Sequence, residues 1–577
     1  MRQILRFLNG YKKESILAPL FKLLEASFEL FVPLVMARMI DVGIVRRDIQ
    51  SIVWMGVVLF LLAAIGLTAS LTAQFFAAKA AVGFSAELKL ELFDHIQKLS
   101  FGDIDQIGTA TLITRMTSDV NQVQGGVNLF LRLFLRSPFL IVGAMVMAFT
   151  IDVRAALVFV IAIPILALVV FGLMFVSIPL YTRVQNALDR ILNRTRENLT
   201  GVRVIRAFNK QEDEKKSFVN ENDQLYRSQL LVGRISSLMN PVTYIIVNVS
   251  LIALIWIGAV RVNVGILTQG QVVALINYMS QILIELVKLA TLIVTMNKAV
   301  ACANRIQEIF EKEPGLCQTP VPKTPKVVAE GRDQIVFSHV SLRYPNSFED
   351  ALSDIDFRVK PGETIGIIGG TGSGKTSLVH LIPRFYDISD GQLLVDGVDV
   401  RDYELSELRK KVGIVLQKSV LFEGTIRSNL LWGKKDATQD EMWQALRIAQ
   451  AEEIVKKKQG GLDEKVEQEG RNFSGGQRQR LAIARALIKK PEILILDDSA
   501  SALDYATDAA LRKAILQEHS GMTLWIVSQR VASVKNADKI LVLDDGRVVG
   551  MGTHEELLRS CQVYQEIYES QYGKGAG

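Results

Sequence analysis

A glycine-rich stretch is the first feature of the sequence that predicts chemistry. GGTGSGKTS occupies residues 369–377, follows the apolar run TIGIIG and precedes the helical run SLVHLI. It fits the pattern G-x-x-x-x-G-K-[ST], in which backbone N–H groups surround phosphate oxygens and the lysine neutralises phosphate charge. The stretch therefore predicts a nucleotide-binding loop made of Gly369, Gly370, Thr371, Gly372, Ser373, Gly374, Lys375, Thr376 and Ser377.

An acidic strand end supplies the predicted metal site. The apolar run ILIL leads directly into Asp497 and Asp498, about 120 residues after the loop. In nucleotide-hydrolysing enzymes with such a loop, a strand-end aspartate and the hydroxyl of the loop hold Mg²⁺. We therefore expect Asp497 and Thr376 to be Mg²⁺ ligands, which leaves Asp498 as a short candidate for a catalytic base.

A second phosphate-binding surface is predicted by NFSGGQRQRLAIARALI, residues 472–488. Ser474 is expected to cap a helix, and Gly475 and Gly476 would expose backbone N–H groups at its positive end. The glycine-rich loop already surrounds one set of phosphates. Two such surfaces in one domain therefore make sense if they face different nucleotides.

Together these motifs resemble those of the ATP-binding cassette (ABC) family, and the resemblance to its exporter half-transporters spans the entire chain. FSGGQ resembles the family's signature motif, with Phe473 where leucine is usual. In that family two nucleotide-binding domains sandwich two ATP molecules, each between the loop of one domain and the signature of the other. The resemblance implies that Ser474, Gly475, Gly476 and Gln477 contact the partner's ATP, that Tyr344 stacks on adenine, that Gln417 reaches Mg²⁺ and that Asp504 couples the two sites. For Tyr344 the alternative is an aromatic ring packed at a strand end, and for Gln417 it is a surface amide.

Two positions depart from the family's hydrolytic site. The family places glutamate, the general base, after the strand-end aspartate, whereas this chain has Asp498. One methylene less withdraws the carboxylate by about 1.5 Å, and misplacement on that scale can lower the rate by about 100-fold. The family also places histidine after the next strand, where LWIVSQRV has Gln529, and glutamine cannot carry a cationic charge. These departures predict a site that binds ATP but has lost efficient catalysis.

The signature SGGQ, in contrast, is intact. We therefore predict that the ATP site which this signature completes on a partner chain is competent in hydrolysis. We therefore expect one subunit of a heterodimeric exporter, which uses ATP and Mg²⁺ to move hydrophobic or amphiphilic substrates out of the cell. The partner would be a non-identical half-transporter that supplies the competent base and histidine. Two alternatives stay open: a homodimeric exporter with a slow site, and a membrane-anchored ATP-gated pore or regulator.

Long apolar segments in the first 300 residues predict a membrane domain. The ranges 49–78, 155–182 and 235–260 contain no charged side chain, and each exceeds the roughly 20 residues needed to cross a bilayer. Three further segments carry a few charges. The six predicted spans lie at about 16–40, 52–78, 125–151, 155–182, 235–260 and 271–297. Six spans exclude a soluble ABC ATPase.

The polar segments set the predicted topology of the chain. Two connections are long, 79–124 and 183–234, and the second is dense in Lys and Arg. An excess of these residues marks the cytoplasmic side of a cell (inner) membrane, so we expect both long connections there. We expect both termini and the nucleotide-binding domain to be cytoplasmic as well. Apolar residues three and four apart predict that these connections are helical, with short coupling helices at about 108–119 and 207–219.

The domain boundaries follow from a change in composition. Residues 1–311 are the predicted all-α transmembrane domain, and residues 312–332, which hold four prolines, are a predicted linker. From residue 333 to 577 short β-rich runs alternate with helical ones, which predicts an α/β phosphate-loop ABC domain with a β-rich edge. The net charge of +6 is too modest for a nucleic-acid groove and fits loops beside anionic lipid.

A polar stripe on the sixth predicted span is a candidate for the substrate path. Asn277, Gln281, Glu285 and Lys288 are spaced four, four and three apart and share one helical face. Polar groups inside a membrane usually face a bundle interior or a water-filled cavity. We expect Glu285 and Lys288 to pair, and the stripe either lines the translocation path or packs between helices.

Overall fold

The computed structural model describes residues 4–316, 333–345, 347–499, 503–518 and 521–573. The chain divides into two compact units, Met1–Gln97 with Ala110–Lys312, and Lys98–Thr109 with Glu313–Gly577. The predicted linker, 312–332, lies outside the described residues from position 317 onward.

Helices build the first unit. In chain order the helices of the N-terminal half are α1 (Lys12–Arg38), α2 (Ile49–Lys98), α3 (Phe101–Ile107), α4 (Thr109–Thr114), α5 (Val120–Leu133), α6 (Arg136–Ile151), α7 (Val153–Thr200), α8 (Val202–Ala207), α9 (Gln211–Ser237), α10 (Met239–Asn263) and α11 (Gln269–Phe310). Short 3₁₀ or π segments at Ile4–Tyr11, Met39–Ile44 and Arg115–Asp119 adjoin some of them. Of these helices, α3 belongs to the second unit.

Among the described residues, five helical segments are long and apolar enough to cross a membrane. They are Ile49–Lys98, Thr109–Ile151, Val153–Thr200, Gln211–Asn263 and Gln269–Phe310. Helix α1 corresponds to the first predicted span and is long enough at 27 residues, but its charged residues lower its hydropathy. One of these, Lys22, is buried and donates to Glu25 at 2.5 Å and to Ser70 of α2 at 3.0 Å. The charge of α1 is thus paired inside the helical unit, which fits a sixth span.

The long connections between the predicted spans are helical, as their periodicity predicts. Helix α2 has 50 residues and α7 has 48, and a rise of 1.5 Å per residue makes each of them more than about 70 Å long. A bilayer core is only about 30 Å thick. Both helices therefore continue well beyond the part that a membrane would hold.

Short helices lie close to the predicted coupling regions. Helix α4 and the π segment Arg115–Asp119 fall within the predicted 108–119, and α8 ends where the predicted 207–219 begins. Their coupling role stays a prediction. Helix α3 begins after Ser100, whose side chain forms a capping box with Asp103, and ends at Gly108 with φ of 83°. Gly108 therefore ends α3, and α4 begins at the next residue. Helix α8 ends in a turn at Asn209, with φ of 53°, because the acidic first turn of α9 starts a new long helix there.

The second unit is an α/β domain. Its strands are β1 (Ile335–Leu342), β2 (Leu352–Val359), β3 (Thr364–Gly369), β4 (Asp390–Val395), β5 (Val398–Asp399), β6 (Val412–Val415), β7 (Gly424–Thr425), β8 (Lys465–Val466), β9 (Ile493–Asp497), β10 (Thr523–Val527), β11 (Lys539–Asp544) and β12 (Arg547–Gly552). Its later helices are α12 (Lys375–Leu381), α13 (Leu405–Lys411), α14 (Ile426–Leu431), α15 (Gln439–Ile448), α16 (Glu452–Lys456), α17 (Gly475–Leu487), α18 (Tyr505–Glu518), α19 (Val531–Val534), α20 (His554–Ser560) and α21 (Gln562–Tyr572).

Two main sheets organise this domain. The central sheet has the order β12-β11-β3-β10-β9-β6 and is parallel except for β12, while the order β2-β1-β4-β5 forms an antiparallel sheet. Every residue of β3, β9 and β10 is buried, as expected for parallel strands that are covered on both faces. The carboxyl ends of adjacent parallel strands meet at one edge, which is where ligands bind in such sheets.

Candidate nucleotide-binding site

A cavity of about 300 Å³ lies at this edge. Its lining combines the glycine-rich loop, the acidic strand end and the segment after β10. Eleven of the predicted site residues line it, namely Tyr344, Thr371, Gly372, Gly374, Lys375, Thr376, Ser377, Gln417, Asp497, Asp498 and Gln529, together with Ala351, Val527 and Ser528. Segments far apart in the sequence therefore meet in one site.

The glycine-rich loop needs a glycine at position 374. Gly374 has φ of 94°, and a Cβ there would come within 2.8 Å of the Ala351 carbonyl oxygen, so a side chain would be both strained and crowded. The next residue, Lys375, donates to the carbonyl oxygens of Gly369, at 3.0 Å, and Gly370. Burial lowers the pKa of Lys375, and its ammonium group lies in the loop that the motif predicts to surround phosphate.

The predicted metal ligands are adjacent. The Thr376 hydroxyl donates to Asp497 Oδ1 at 3.0 Å, whereas Asp497 Oδ2 is buried without a hydrogen bond among the described residues. Burial raises the pKa of Asp497 to about 6, because a carboxylate that has lost water is costly without a cation beside it. A hydroxyl and a carboxylate oxygen suit Mg²⁺, which needs few protein ligands when phosphates complete its shell. The residues present therefore fit the ion.

The predicted base and the predicted histidine substitute lie in the same cavity. Asp498 Oδ2 accepts a hydrogen bond from Gln417 Nε2 at 3.3 Å, and burial raises the pKa of Asp498. The Gln417 amide thus contacts Asp498, and no bond between Gln417 and Asp497 is seen among the described residues. Gln529 lines the cavity beside the buried Ser528. Both departures from the family pattern therefore fall on one site.

The signature residues do not line this cavity. Ser474 caps α17, as predicted, through a capping box with Gln477, and Ser474 and Gly475 are exposed. Gly475 lines a separate cavity of about 270 Å³ with Gln417 and Arg478. A surface that offers backbone N–H groups away from the chain's own loop is what a ligand shared with another chain requires.

Asp504 has a local structural role in addition to its predicted coupling role. Its carboxylate accepts hydrogen bonds from the backbone N–H of Thr507 at 2.8 Å and from the Thr507 hydroxyl at 2.9 Å. These bonds lower the pKa of Asp504 and satisfy a free N–H group at the start of α18.

Sequence reasoning missed His380, which lies next to Asp497, the predicted metal ligand. Its Nε2 is 3.7 Å from Asp497 Oδ2, and its ring stacks with Tyr386. The Tyr386 hydroxyl in turn donates to Asp105 of α3 at 2.8 Å. A single helix turn separates His380 from Thr376, so the spacing of α12 was a signal for this neighbour.

The polar stripe on α11 is not one open surface. Glu285 is buried and accepts hydrogen bonds from Arg136, Ser137 and Lys288 at 2.7, 2.7 and 2.8 Å. The predicted pairing of Glu285 with Lys288 is therefore present. For Glu285 these bonds favour packing between helices, while Asn277, Gln281 and Lys288 are half-buried.

The fold and the cavity define a membrane protein with an attached nucleotide-binding domain, and comparison with known proteins agrees. Residues 15–286 match the model of the ABC transporter transmembrane region, and residues 352–501 match the ABC transporter model. An uncharacterized ABC transporter ATP-binding protein of Bacillus subtilis, YfiB, is 37% identical over 100% of this chain and 99% of its own length. The chain belongs to the ABC transporter family.

Two further comparisons extend this result. The probable multidrug resistance ABC transporter ATP-binding/permease protein YheI of Bacillus subtilis is 35% identical over 84% of this chain and 82% of its own length. The solved structure of a bacterial Atm1-family ABC exporter with ATP bound has a TM-score of 0.80 at 22% identity and covers 98% of this chain and 99% of its own. The chain therefore has the fold of an ABC exporter.

Replacing Tyr344 tests the predicted adenine contact. Its hydroxyl donates to Ser377 at 2.8 Å, its ring meets Tyr386 edge-on, and the residue lines the cavity. We expect Tyr344→Ala to weaken ATP binding by about 1–3 kcal/mol, the usual effect of removing a base-stacking ring. Titration with a fluorescent ATP analogue measures the change. Tyr344→Phe keeps the ring and is the control, and equal losses in both variants would contradict stacking.

Proposed function

We propose that the chain is one subunit of a heterodimeric ATP-driven exporter in the cell membrane, with its nucleotide-binding domain in the cytoplasm. Six spans, α1 included, would form its half of the pathway. The relative named for multidrug resistance supports hydrophobic or amphiphilic substrates.

The observation that carries the heterodimer is the presence of Asp498 and Gln529 in one cavity. Here Asp498 would be too short to position the attacking water. Gln529 can donate a hydrogen bond to phosphate but carries no cationic charge, so it would not stabilise the charge that develops during hydrolysis. Tyr344, Lys375 and Asp497 lie in the same cavity and are intact for binding. The site would therefore bind ATP and hydrolyse it slowly.

The exposed signature supports hydrolysis at a site on the partner chain. Ser474 and Gly475 are intact and lie outside the chain's own cavity, so they would close over ATP held by a second chain. If that chain has glutamate and histidine at the corresponding positions, its site is competent. ATP binding would close the two domains and hydrolysis at the competent site would reopen them.

Purification of the full chain without a partner tests this proposal. In lipid nanodiscs the chain should bind ATP saturably and turn it over on the order of 100-fold more slowly than a site with a correctly placed base. Lys375→Ala, which removes the loop's cation, is the control for binding. Robust turnover by the chain alone would overturn the degenerate site and support the homodimer.

A second assay separates export from an ATP-gated pore. Inverted vesicles that contain this chain and its partner should accumulate an amphiphilic dye only when ATP is present. A passive ion current on ATP binding, without dye accumulation, would contradict the export proposal.

A further inference from the structure

The C-terminal helix α21 reaches the segment that carries Gln529. Gln571 Nε2 donates to the Gln529 carbonyl oxygen at 2.7 Å, and Gln571 Oε1 accepts from the Val531 N–H at 2.9 Å. One side-chain amide thus binds two backbone groups that are two residues apart. The carbonyl requires a donor and the N–H requires an acceptor, so these partners fix which way the amide points.

Both bonds go to backbone groups of the turn before α19, the Gln529 carbonyl and the Val531 N–H. Val531 is the first residue of α19, and the first N–H groups of a helix have no acceptor within the helix. Val531 itself is buried, which anchors the end of the segment. The Gln571 amide therefore fixes the backbone between Gln529 and the buried start of α19.

The two ends of α21 differ in burial. Near its start Tyr564 is fully buried, and its hydroxyl is 2.7 Å from His554 Nδ1. Near its end Gln571 is exposed. The helix is thus held firmly by its buried tyrosine, and the Gln571 side chain can be changed without disturbing the core.

The next residue of this segment, Arg530, makes a second set of contacts. Its guanidinium group lies 5.1 Å from the centre of the Tyr505 ring and donates to the Leu503 carbonyl oxygen at 3.4 Å. Asp504, the predicted coupling residue, lies between these two contacts in the chain. The Gln529 segment therefore contacts both α21, through Gln571, and the start of α18, through Arg530.

We propose that Gln571 is a positioning residue that sets the place of the Gln529 side chain in the ATP cavity. The Gln529 side chain extends from the backbone that Gln571 holds, and it is the group expected to contact the terminal phosphate. Gln571 therefore contributes to the preference for ATP over ADP. This inference rests on the proposed ATP site.

The test compares nucleotide preference in variants of the full chain in nanodiscs. Gln571→Ala should lower the ratio of ATP to ADP affinity by about tenfold, the effect expected from losing two neutral hydrogen bonds, and leave ADP affinity unchanged. Gln571→Glu keeps an acceptor for Val531 but places a carboxylate against the Gln529 carbonyl, so it should lower the ratio at least as much. Gln562→Ala is the matched control, because Gln562 is exposed on the same helix and, among the described residues, its side chain donates to Glu566 and not to the Gln529 segment.

A double-variant cycle shows whether the effect passes through Gln529. In a Gln529→Ala background, Gln571→Ala should not change the ratio further. Amide hydrogen exchange of Val531 provides a readout that needs no nucleotide, and it should accelerate in Gln571→Ala but not in Gln562→Ala.

The outcomes separate the two proposals. If Gln571→Ala changes neither the ATP/ADP affinity ratio nor the amide exchange of Val531, and the unmodified chain binds ATP normally, the positioning role of Gln571 is overturned and the proposed function is not. A fall in ADP affinity equal to that for ATP would show a merely structural role and overturn it too. Absence of ATP binding by the unmodified chain would overturn the proposed function itself, together with the inference that depends on it.

Discussion

Installing Asp498→Glu together with Gln529→His is expected to raise ATP hydrolysis by the purified chain on the order of 100-fold. Both residues line one cavity with Lys375 and Asp497, so the new groups would enter a site that already contains the residues predicted to bind phosphate and Mg²⁺. The added methylene advances the carboxylate by about 1.5 Å, one carbon–carbon bond. Steady-state phosphate release at saturating ATP measures the effect.

The two substitutions should act together. The effects on rate of residues that act in one chemical step are strongly non-additive. Either substitution alone is therefore expected to recover only part of the rate. Asp544→Glu and Gln562→His are matched controls, because both side chains are exposed and neither lines the cavity. Adding Lys375→Ala to the double variant should abolish the gain.

The signature provides an internal check on this result. Ser474→Arg in the double variant would place a bulky side chain where a second copy must close over ATP. If the repaired chain hydrolyses ATP as a dimer, this third change should remove the recovered activity. A rate for the Asp498→Glu, Gln529→His variant equal to that of the unmodified chain would contradict the degenerate site.

The site was predictable where local geometry dictates residue type. The turn at Gly374 tolerates no side chain, a helix start favours Ser474, and a buried parallel strand that ends in acids identifies Asp497. In each case the physical demand acts over a few neighbouring residues. A single sequence therefore shows it.

The parts that could not be predicted depend on contacts between distant segments. Gln571 and Gln529 are 42 positions apart, and Arg136 and Glu285 are 149 apart. No local period encodes such a pair. The grouping of Lys98–Thr109 with the second unit was missed for the same reason, because it depends on contacts such as Phe101 with Phe385 and Asp105 with Tyr386.

The ion cluster around Glu285 gives the second large prediction. Arg136 binds Glu285 through one guanidinium nitrogen and Glu29 through the other, both at 2.7 Å, so it joins α6, α11 and α1. Arg136→Met would remove both bonds and leave Glu285 with Ser137 and Lys288. We expect a loss of about 3–5 kcal/mol in the free energy of unfolding, as when one partner of a buried pair is removed. Denaturant titration in detergent measures it.

Lys288 supplies the matched control. Its side chain is 42% exposed although it also binds Glu285, so Lys288→Met should cost less than about 1 kcal/mol. A loss in Arg136→Met as small as that in Lys288→Met would contradict a stabilising role for the cluster.

Replacing both charges separates stability from transport. Arg136→Met with Glu285→Met should recover most of the lost stability, because a buried pair replaced by apolar residues of similar volume is often neutral. If this double variant is stable and transports dye normally, the cluster serves only packing between helices. If it is stable but transports nothing, the charges act in the pathway, and Glu285 belongs to the translocation path despite its burial in this conformation.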